Sequence, residues 1–208
     1  TAWMGDQRLS ADALVIALGA ELAPDAIPGF GEYAYNVYDP QEIPRAAQAL
    51  NEFEGGNLLI GIFGIPYKCP PAPYEMALLI RETLQARGVD ANVEVFTPQP
   101  VSMPLLGQVG CDIIEGRLAD HGINFLPNRK ATAIESVEVV FANERRRFDL
   151  LFGIPPHRPP AAVRESGLVG ESGWVSVNSR TLETQFPGVY AIGDVVQIAM
   201  ANGKPLPK

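Results

Sequence analysis

The chain has 208 residues, of which 47% are hydrophobic and 19% are charged. This length and composition predict a folded protein with a core of its own and exclude a disordered chain, and the longest apolar runs are too short for a membrane-spanning helix. A net charge of −8 argues against nucleic acid as a partner, because binding to phosphates depends on clustered Lys and Arg.

Basic runs and potential metal ligands are sparse. The one basic run, Arg145–Arg147, is predicted to lie in a solvated turn. Two cysteines, Cys69 and Cys111, and two histidines, His121 and His157, form neither a disulfide framework nor a metal-ligand cluster. We therefore expect no metal site.

The first predicted strand is the apolar run Ala13–Leu18, which Gly19 ends. Its composition indicates a buried parallel strand. The segment 21–40 is rich in Pro and Gly and is predicted to be an irregular linker. Apolar residues at helical spacing then predict a helix over Gln41–Phe53.

A strand-helix-strand unit follows. Asn57–Phe63 is a predicted strand, Pro73–Arg87 is a predicted helix with proline in its opening turn, and Val93–Phe96 is the next strand. This spacing is typical of a parallel crossover connection.

The later elements complete the predicted fold. Gln108–His121 is a predicted helix, and the sequence INFL after it is a short strand. From Ala131 onward, short β-rich pieces with a polar turn at 142–146 predict an antiparallel meander, and the last strand covers Val189–Ile192. We therefore predict an α/β fold with a doubly wound, Rossmann-like parallel sheet in three layers and a small antiparallel β meander.

Gly193 and Asp194 directly follow the last predicted strand. A carboxylate at the carboxyl end of a parallel strand can accept hydrogen bonds from sugar or ribityl hydroxyls, and glycine lets a ligand approach the backbone. From these two residues alone, a role of Asp194 as the N-cap of a following helix is an equal alternative.

The surrounding motifs narrow this choice. GVYAIGD, which ends at Asp194, resembles the second FAD-binding motif of flavoproteins with two dinucleotide-binding domains, and LVIALGAE, which contains Gly19, resembles the turn that ends the first part of their FAD domain. YKCPPAPYE, GIPPHRPPAAVRESGL and ANGKPLPK resemble the sulfide:quinone oxidoreductase and flavocytochrome c sulfide dehydrogenase branch. The resemblance implies FAD as cofactor, with Gly19, Gly193 and Asp194 in its binding site.

The resemblance also implies a domain organisation. Residues 1–35 are expected to be part of an FAD-binding domain, 36–148 an NAD-binding-like domain, and 149–208 the returning, incomplete part of the FAD-binding domain. The chain starts without a methionine, and we expect an internal segment whose FAD pyrophosphate loop lies upstream. In the branch that it resembles, Lys208 would lie near the flavin pyrimidine, where a cation stabilises reduced flavin.

The loop GIFGIPYKC does not match a dinucleotide fingerprint. A fingerprint needs glycines for the turn and for close approach to pyrophosphate, and an acid at the end of the next strand. Gly61 and Gly64 are present, but the bulky Tyr67 and Lys68 follow, and Glu94 lies inside the next strand rather than at its tip. We predict an NAD-binding architecture that has lost its nucleotide.

Cys69 lies in this loop, close to the start of the predicted helix. The helix macrodipole and Lys68 favour a thiolate there, which could attack a sulfur substrate or form a disulfide opposite a flavin. From the residues alone, an inert cysteine is the alternative. In the branch that it resembles, the cysteine works with a second one in the carboxyl-terminal region to carry sulfide sulfur next to FAD, which implies a catalytic role for Cys69.

Four further residues have competing interpretations. Cys111 lies on an apolar helical face and is interpreted as a core residue. Glu75, in the first turn of a helix, either favours the helix dipole or handles protons near the flavin. His157 is either a candidate proton relay or an exposed loop imidazole, and His121 is predicted to cap a helix end.

The sequence therefore predicts an FAD-dependent oxidoreductase that oxidises sulfide or another small sulfur compound at Cys69 and passes electrons to quinone or a cytochrome. We expect this activity in the full-length protein rather than in this segment alone. Two alternatives stay open: an NADH:quinone or ferredoxin-reductase-like NADH flavoenzyme, and a truncated, non-catalytic scaffold. The resemblance implies a periplasmic or peripheral membrane location, and it predicts no particular oligomer.

Overall fold

The computed structural model describes residues 2–198, which form two compact units. The larger unit contains residues 22–157, and the smaller unit contains residues 2–21 and 158–198. None of the helices within residues 2–198 has the length and apolar character that a membrane span requires.

The strands, in chain order, are β1 (Ala2–Met4), β2 (Gln7–Leu9), β3 (Leu14–Ile16), β4 (Glu21–Leu22), β5 (Tyr35–Asn36), β6 (Gly56–Ile62), β7 (Ala91–Phe96), β8 (Ile123–Leu126), β9 (Ala131–Glu135), β10 (Glu138–Phe141), β11 (Arg145–Arg147), β12 (Leu150–Ile154), β13 (His157–Arg158), β14 (Val175–Ser176), β15 (Val189–Ala191) and β16 (Val196–Gln197). The helices are α1 (Phe30–Tyr33), α2 (Ile43–Glu52), α3 (Ala72–Ala86), α4 (Gly107–Asp120) and α5 (Ala161–Arg164), with 3₁₀ turns at Pro24–Ala26, Pro104–Leu106 and Gly193–Val195.

A five-stranded parallel sheet forms the centre of the larger unit. Its strand order is β5-β12-β6-β7-β8, and each neighbouring pair is parallel. β6, β7 and β8 follow one another through α3 and α4, whereas β12 returns to lie between β5 and β6. This sheet confirms the predicted Rossmann-like α/β fold.

Both faces of the sheet are covered, as strand β6 illustrates. Successive side chains of a strand point to opposite faces. Leu58 and Ile60 pack in the core that includes α2, α3 and α4, whereas Leu59 and Phe63 pack in a second core on the other face. Burial on both sides explains why this strand is a continuous apolar run rather than an alternating one.

An antiparallel meander and a row of aromatic rings cover the second face. β9, β10 and β11 form the meander. Phe30, Phe63, Phe96 and Phe141 meet edge to face, with centroid separations of 5.0, 5.1 and 5.2 Å along the row. Edge-to-face contacts at these distances are favourable, so the row fills this face of the sheet with well-defined packing.

The smaller unit has three short strand pairs. β1 and β2 form an antiparallel hairpin, β14 pairs with β16, and β3 pairs with β15 in parallel. A small core that includes Val163, Val175 and Val195 holds the unit together. The predicted first strand is confirmed, but the prediction that it is buried is wrong, because Val15 in this two-stranded pair is 57% exposed.

Most predicted elements are confirmed with small shifts at their ends. The helices predicted over 41–53, 73–87 and 108–121 are α2, α3 and α4. Arg145 and Arg147 are exposed, as predicted, but the prediction of a turn at Arg145–Arg147 is wrong, because these residues form strand β11. Carboxylates explain the difference: Arg145 lies 2.5 Å from Glu135 and 3.3 Å from Glu138, so the basic strand is paired across the meander.

Strand β12 shows where the compact units differ from the expected domain boundaries. Its residues are buried and pair with β5 on one side and β6 on the other, so β12 belongs to the larger unit. The expected domain boundaries, after residues 35 and 148, both fall inside this unit. The boundaries between the two compact units lie after residues 21 and 157. The assignment of the segments to FAD- and NAD-type domains stays a prediction.

Candidate functional site

Strands β3 and β15 bring together two sequence motifs that lie far apart in the chain. The two strands are parallel, with Leu14 opposite Val189 and Ile16 opposite Ala191. The pairing continues past β15, where the Ile192 N–H donates a hydrogen bond to the Ile16 carbonyl at 2.9 Å. Since the carboxyl ends of paired parallel strands meet at one edge, the turns that follow them lie at the same edge of this unit.

Gly19 and Gly193 occupy these turns, and both have open space beside them. Their φ angles are +68° and +77°, in the left-handed region that favours glycine. A Cβ atom added at either position would meet no other atom of the described chain within 4 Å. The backbone is therefore accessible to a bound group at this edge.

Asp194 lies beside Gly193 in the 3₁₀ turn Gly193–Val195 and is half-buried. The helix that an N-cap interpretation requires is only this one short turn within the described residues. A carboxylate at this position can accept hydrogen bonds from the hydroxyls of a sugar-like chain. Gly19, Gly193 and Asp194 thus follow two paired parallel strands, and the ribityl-binding role that the resemblance implies for Asp194 stays a prediction.

Gly61, inside strand β6, and Gly64, in the loop after it, have the opposite surroundings. A Cβ atom on Gly61 would lie 2.6 Å from the rings of Phe63 and Phe96, and one on Gly64 would lie 2.8 Å from Pro156. These glycines therefore make room for the protein's own side chains. The position where pyrophosphate would approach the backbone in a dinucleotide fold is filled by packing.

The acid that would hold a nucleotide ribose is also absent from the tip of β7. Phe96 ends this strand and the buried Thr97 follows it. Glu94, two residues earlier, is 6% exposed, and its carboxylate lies 3.2 Å from the guanidinium of Arg146 on the meander. Glu94 therefore links the two layers instead of facing a ligand at the strand end.

Cys69 lies in the loop between β6 and α3, three residues before the helix begins, and is exposed. Its φ angle is +54°, which is unusual for a residue with a side chain. Its carbonyl accepts two hydrogen bonds, from the Ala72 N–H at 3.1 Å and from the hydroxyl of Tyr38 at 3.0 Å. The backbone of Cys69 is held by partners on both sides, and its thiol is accessible.

Tyrosine side chains surround the Cys69 loop. The Tyr67 hydroxyl donates to the Pro70 carbonyl at 3.1 Å, and the Tyr74 hydroxyl donates to the Ser102 carbonyl at 2.6 Å. Burial raises the pKa of all three residues of this group, Tyr38, Tyr67 and Tyr74, above the ordinary value of 10.0, and the neighbouring Cys69 adds to the rise in the pKa of Tyr38 and Tyr67. These hydroxyls therefore stay protonated hydrogen-bond donors at neutral pH.

Tyr38, which donates to the Cys69 carbonyl, also contacts His157. The rings of Tyr38 and His157 meet edge to face, with centroids 5.8 Å apart. His157 is half-buried, and its Nδ1 lies 3.0 Å from the Pro155 carbonyl, so the loop imidazole is partly enclosed rather than fully exposed. Sequence reasoning missed Tyr38, because it lies in the segment 21–40 that was predicted to be an irregular linker, whereas the structure places it just after strand β5.

The remaining candidates lie apart from these contacts. Glu75 is exposed in the first turn of α3, which suits an interaction with the helix dipole. Cys111 is 1% exposed and its thiol donates to the Met103 carbonyl at 3.2 Å, so it is a core residue. The His121 Nδ1 lies 2.9 Å from the Arg117 carbonyl at the end of α4, which confirms the capping prediction. Lys208 lies outside the described residues.

The candidate residues thus fall into two groups. Gly19, Gly193 and Asp194 lie in the smaller unit, whereas Cys69 and His157 lie in the larger one. In the part of the chain that the structure describes, no set of three or more His, Cys, Asp or Glu side chains is grouped so that it could hold a metal ion.

Comparison with known protein families decides the class. The model of the family described as "Pyridine nucleotide-disulphide oxidoreductase" matches residues 75–205, which is more than half of the chain. The chain belongs to this family. Membership agrees with the resemblance drawn from GVYAIGD and from the Cys69 loop.

Several relatives within this family are named for sulfide chemistry. The chain is 24% identical to the mitochondrial sulfide:quinone oxidoreductase of Mus musculus in a match that covers 92% of this chain and 46% of the relative. The X-ray structure of the sulfide:quinone oxidoreductase from Aquifex aeolicus matches with a TM-score of 0.78 and 22% identity, over 91% of this chain and 47% of that one. The match to the Aquifex aeolicus structure shows a shared fold.

A plant relative is named for a different reaction. The chain is 32% identical to the alternative NAD(P)H-ubiquinone oxidoreductase C1 of Arabidopsis thaliana, over 42% of this chain and 17% of that protein. The chain spans about half the length of the sulfide:quinone oxidoreductases it matches.

Proposed function

We propose that the full-length protein containing this chain is an FAD-dependent oxidoreductase that oxidises sulfide or another small sulfur compound. One observation carries the proposal: the two glycine pairs have opposite surroundings. Gly19 and Gly193 face open space, whereas Gly61 and Gly64 are filled by packed side chains. The first pair leaves room for a cofactor, the second does not, and an exposed thiol follows the second pair at Cys69.

The FAD site in this proposal uses the residues at the ends of β3 and β15. Gly19 and Gly193 let the cofactor approach the backbone, and the Asp194 carboxylate accepts hydrogen bonds from ribityl hydroxyls. FAD, when bound, supplies the two-electron redox chemistry that amino-acid side chains lack. Lys208 is the candidate cation near the flavin pyrimidine.

Cys69 is proposed to carry the sulfur. In the oxidised protein it forms a disulfide with a second cysteine outside this chain. A hydrosulfide ion attacks this disulfide, so that one new S–S bond forms, the old one breaks, and the second sulfur leaves as a thiolate. The sulfide sulfur is thereby oxidised to a persulfide and the disulfide is reduced. The candidate groups for handling the proton are His157 and Glu75. His157 contacts the ring of Tyr38, whose hydroxyl donates to the Cys69 carbonyl.

Quinone or a cytochrome is the proposed electron acceptor. The two relatives named above as sulfide:quinone oxidoreductases support quinone and sulfide as the general kind of partner. A quinone acceptor would favour peripheral association of the full-length protein with a membrane, since quinones dissolve in the bilayer. The name of the mouse relative, which is mitochondrial, is consistent with a membrane-rich compartment.

Anaerobic titration of the full-length flavoprotein tests the proposal. Sulfide is expected to bleach the visible absorbance of the flavin, and NADH at the same concentration is expected to leave it unchanged. Dithionite serves as the control, because it reduces flavin without a protein thiol. Bleaching by NADH and not by sulfide would overturn the proposal.

An NADH-dependent flavoenzyme is the second candidate. Its support is the 32% identity to the Arabidopsis NAD(P)H-ubiquinone oxidoreductase over 42% of this chain. The filled spaces beside Gly61 and Gly64 argue against it. The same titration separates the two candidates, because each predicts a different reductant.

A further inference from the structure

Three neighbouring strands deliver Tyr38, His157 and Cys69 to one edge of the larger unit. β5, β12 and β6 are parallel and lie side by side in the sheet. Tyr38 follows the end of β5, His157 follows the end of β12, and Cys69 follows the end of β6. Parallel strands end at the same edge, and α/β folds place their functional loops there.

We propose that Tyr38 is a positioning residue, which fixes the backbone of Cys69 through its hydroxyl and the ring of His157 through its own ring. The inference rests on the proposed function, in which Cys69 carries the substrate sulfur. Tyr38 is not proposed to touch the substrate. It acts through the two residues that it connects.

The hydroxyl of Tyr38 supports an unfavourable backbone conformation. Cys69 has a φ angle of +54°, where a side chain crowds the following carbonyl group. The hydrogen bond from Tyr38 at 3.0 Å and the one from the Ala72 N–H at 3.1 Å both end on the Cys69 carbonyl. Removing the hydroxyl leaves one of the two bonds that fix this peptide, so the loop is expected to open more often.

Tyr38 is itself held in place. Its N–H donates a hydrogen bond at 3.1 Å to the side-chain oxygen of Asn36, which is 7% exposed at the end of β5. This turn directs the Tyr38 side chain toward the Cys69 loop, 31 residues further along the chain. A partner anchored on a buried strand is a rigid support for an exposed loop.

The protonation state of Tyr38 suits positioning rather than proton transfer. Burial raises the pKa of Tyr38, and its electrostatic interactions with Cys69 and Tyr67 add to the rise. The hydroxyl therefore keeps its proton and remains a donor to the Cys69 carbonyl across the neutral range.

Hydrogen exchange measured on the full-length protein tests the structural part. Tyr38→Phe removes the hydroxyl and keeps the ring that meets His157. The backbone N–H groups of Ala72, Tyr74 and Glu75, which donate to the carbonyls of Cys69 and Pro71, are expected to exchange about two- to tenfold faster, as the loss of one hydrogen bond implies. Tyr35→Phe is the matched control, because the Tyr35 hydroxyl makes no hydrogen bond to the described residues. Exchange in Tyr38→Phe equal to that in Tyr35→Phe would overturn the inference.

The rate of flavin reduction tests the functional part. In Tyr38→Phe the limiting rate with sulfide is expected to fall about tenfold, because the reacting sulfur is less well placed. The rate with dithionite and the flavin content are expected to stay at the wild-type level, which a general loss of structure would not allow.

Cys69→Ser, measured in parallel, separates the inference from the proposed function. If sulfide still reduces the flavin of Cys69→Ser at the wild-type rate, the proposed role of Cys69 as the sulfur carrier fails, and the positioning role of Tyr38 in sulfur chemistry fails with it. If Cys69→Ser is inactive and Tyr38→Phe reduces flavin at the Tyr35→Phe rate, only the positioning role is overturned.

Discussion

The ring of Phe96 occupies the space that a side chain on Gly61 would need. Phe63 closes the same space from another side, with its ring 2.6 Å from the point where a Cβ atom on Gly61 would lie. Gly61 lies inside strand β6, so this space belongs to the second core of the larger unit. Here the glycine serves the aromatic packing of the larger unit, so the NAD-type architecture is retained for its fold.

Substitution of Gly61 tests this packing. Gly61→Ala is expected to lower the free energy of unfolding by about 1–3 kcal/mol, because the added methyl group collides with packed rings. Gly116→Ala is the matched control, since an added Cβ on Gly116 in α4 would meet no described atom outside its own helix within 4 Å. In the control, the free energy of unfolding is expected to rise by about 0.5–1 kcal/mol, because alanine has a higher helix propensity than glycine. Urea denaturation measures both, and a neutral Gly61→Ala would contradict the packing.

The ion pair between Glu94 and Arg146 gives a second stability prediction. Arg146→Met leaves a buried carboxylate without its cation, and unfolding free energy is expected to fall by about 1–3 kcal/mol, given that Arg146 is 38% exposed. Arg147→Met, at the exposed next position, is the control and is expected to change stability by less than about 0.5 kcal/mol. Equal effects of the two substitutions would show that Glu94 does not depend on Arg146.

The sequence predicted the parallel sheet, the meander and the main helices, because burial on one or both faces leaves a periodic pattern. The sequence did not show which residues from distant parts of the chain contact one another. The Arg145–Arg147 run was predicted to be a turn rather than a strand, because the carboxylates that pair with it lie on other strands of the meander. Tyr38 was missed for a similar reason: it lies in a Pro- and Gly-rich segment, and its contacts with Cys69 and His157 depend on strand order.

The buried tyrosines predict how stability depends on pH. Burial raises the pKa of Tyr67 and Tyr74 in the folded chain above 10.0, so both stay neutral while the unfolded tyrosines ionise. The raised pKa values therefore contribute to the free energy of unfolding fully below pH 10. As the pH rises above 10, this contribution is lost by up to about 1.4 kcal/mol per pH unit for each residue. Urea denaturation from pH 8 to about pH 11 measures this slope.

Tyr74→Phe provides the comparison. The variant loses the hydrogen bond to the Ser102 carbonyl and is less stable at neutral pH, but its loss of stability above pH 10 is expected to be shallower than that of the wild type. If the unfolding free energies of the two proteins fell equally with pH above 10, Tyr74 would have the same pKa in the folded and unfolded chains, which would contradict the prediction.

Asp194 is expected to contribute to FAD affinity in the full-length protein. Asp194→Ala removes an acceptor for the ribityl hydroxyls, and FAD is expected to bind about 10- to 100-fold more weakly, as for other hydrogen bonds to a charged group. Asp6→Ala, an exposed aspartate in the same unit, is the control. Flavin fluorescence during dilution measures the dissociation constant, and unchanged affinity would remove Asp194 from the proposed site.

The most direct test is sulfide-driven bleaching of the flavin in two cysteine variants of the full-length protein. Cys111→Ser is the matched control, because its hydroxyl can replace the thiol that donates to the Met103 carbonyl. We predict that Cys69→Ser binds FAD but is not reduced by sulfide, whereas Cys111→Ser is reduced at the wild-type rate. Reduction of Cys69→Ser at the wild-type rate would contradict the role of Cys69 in sulfur oxidation.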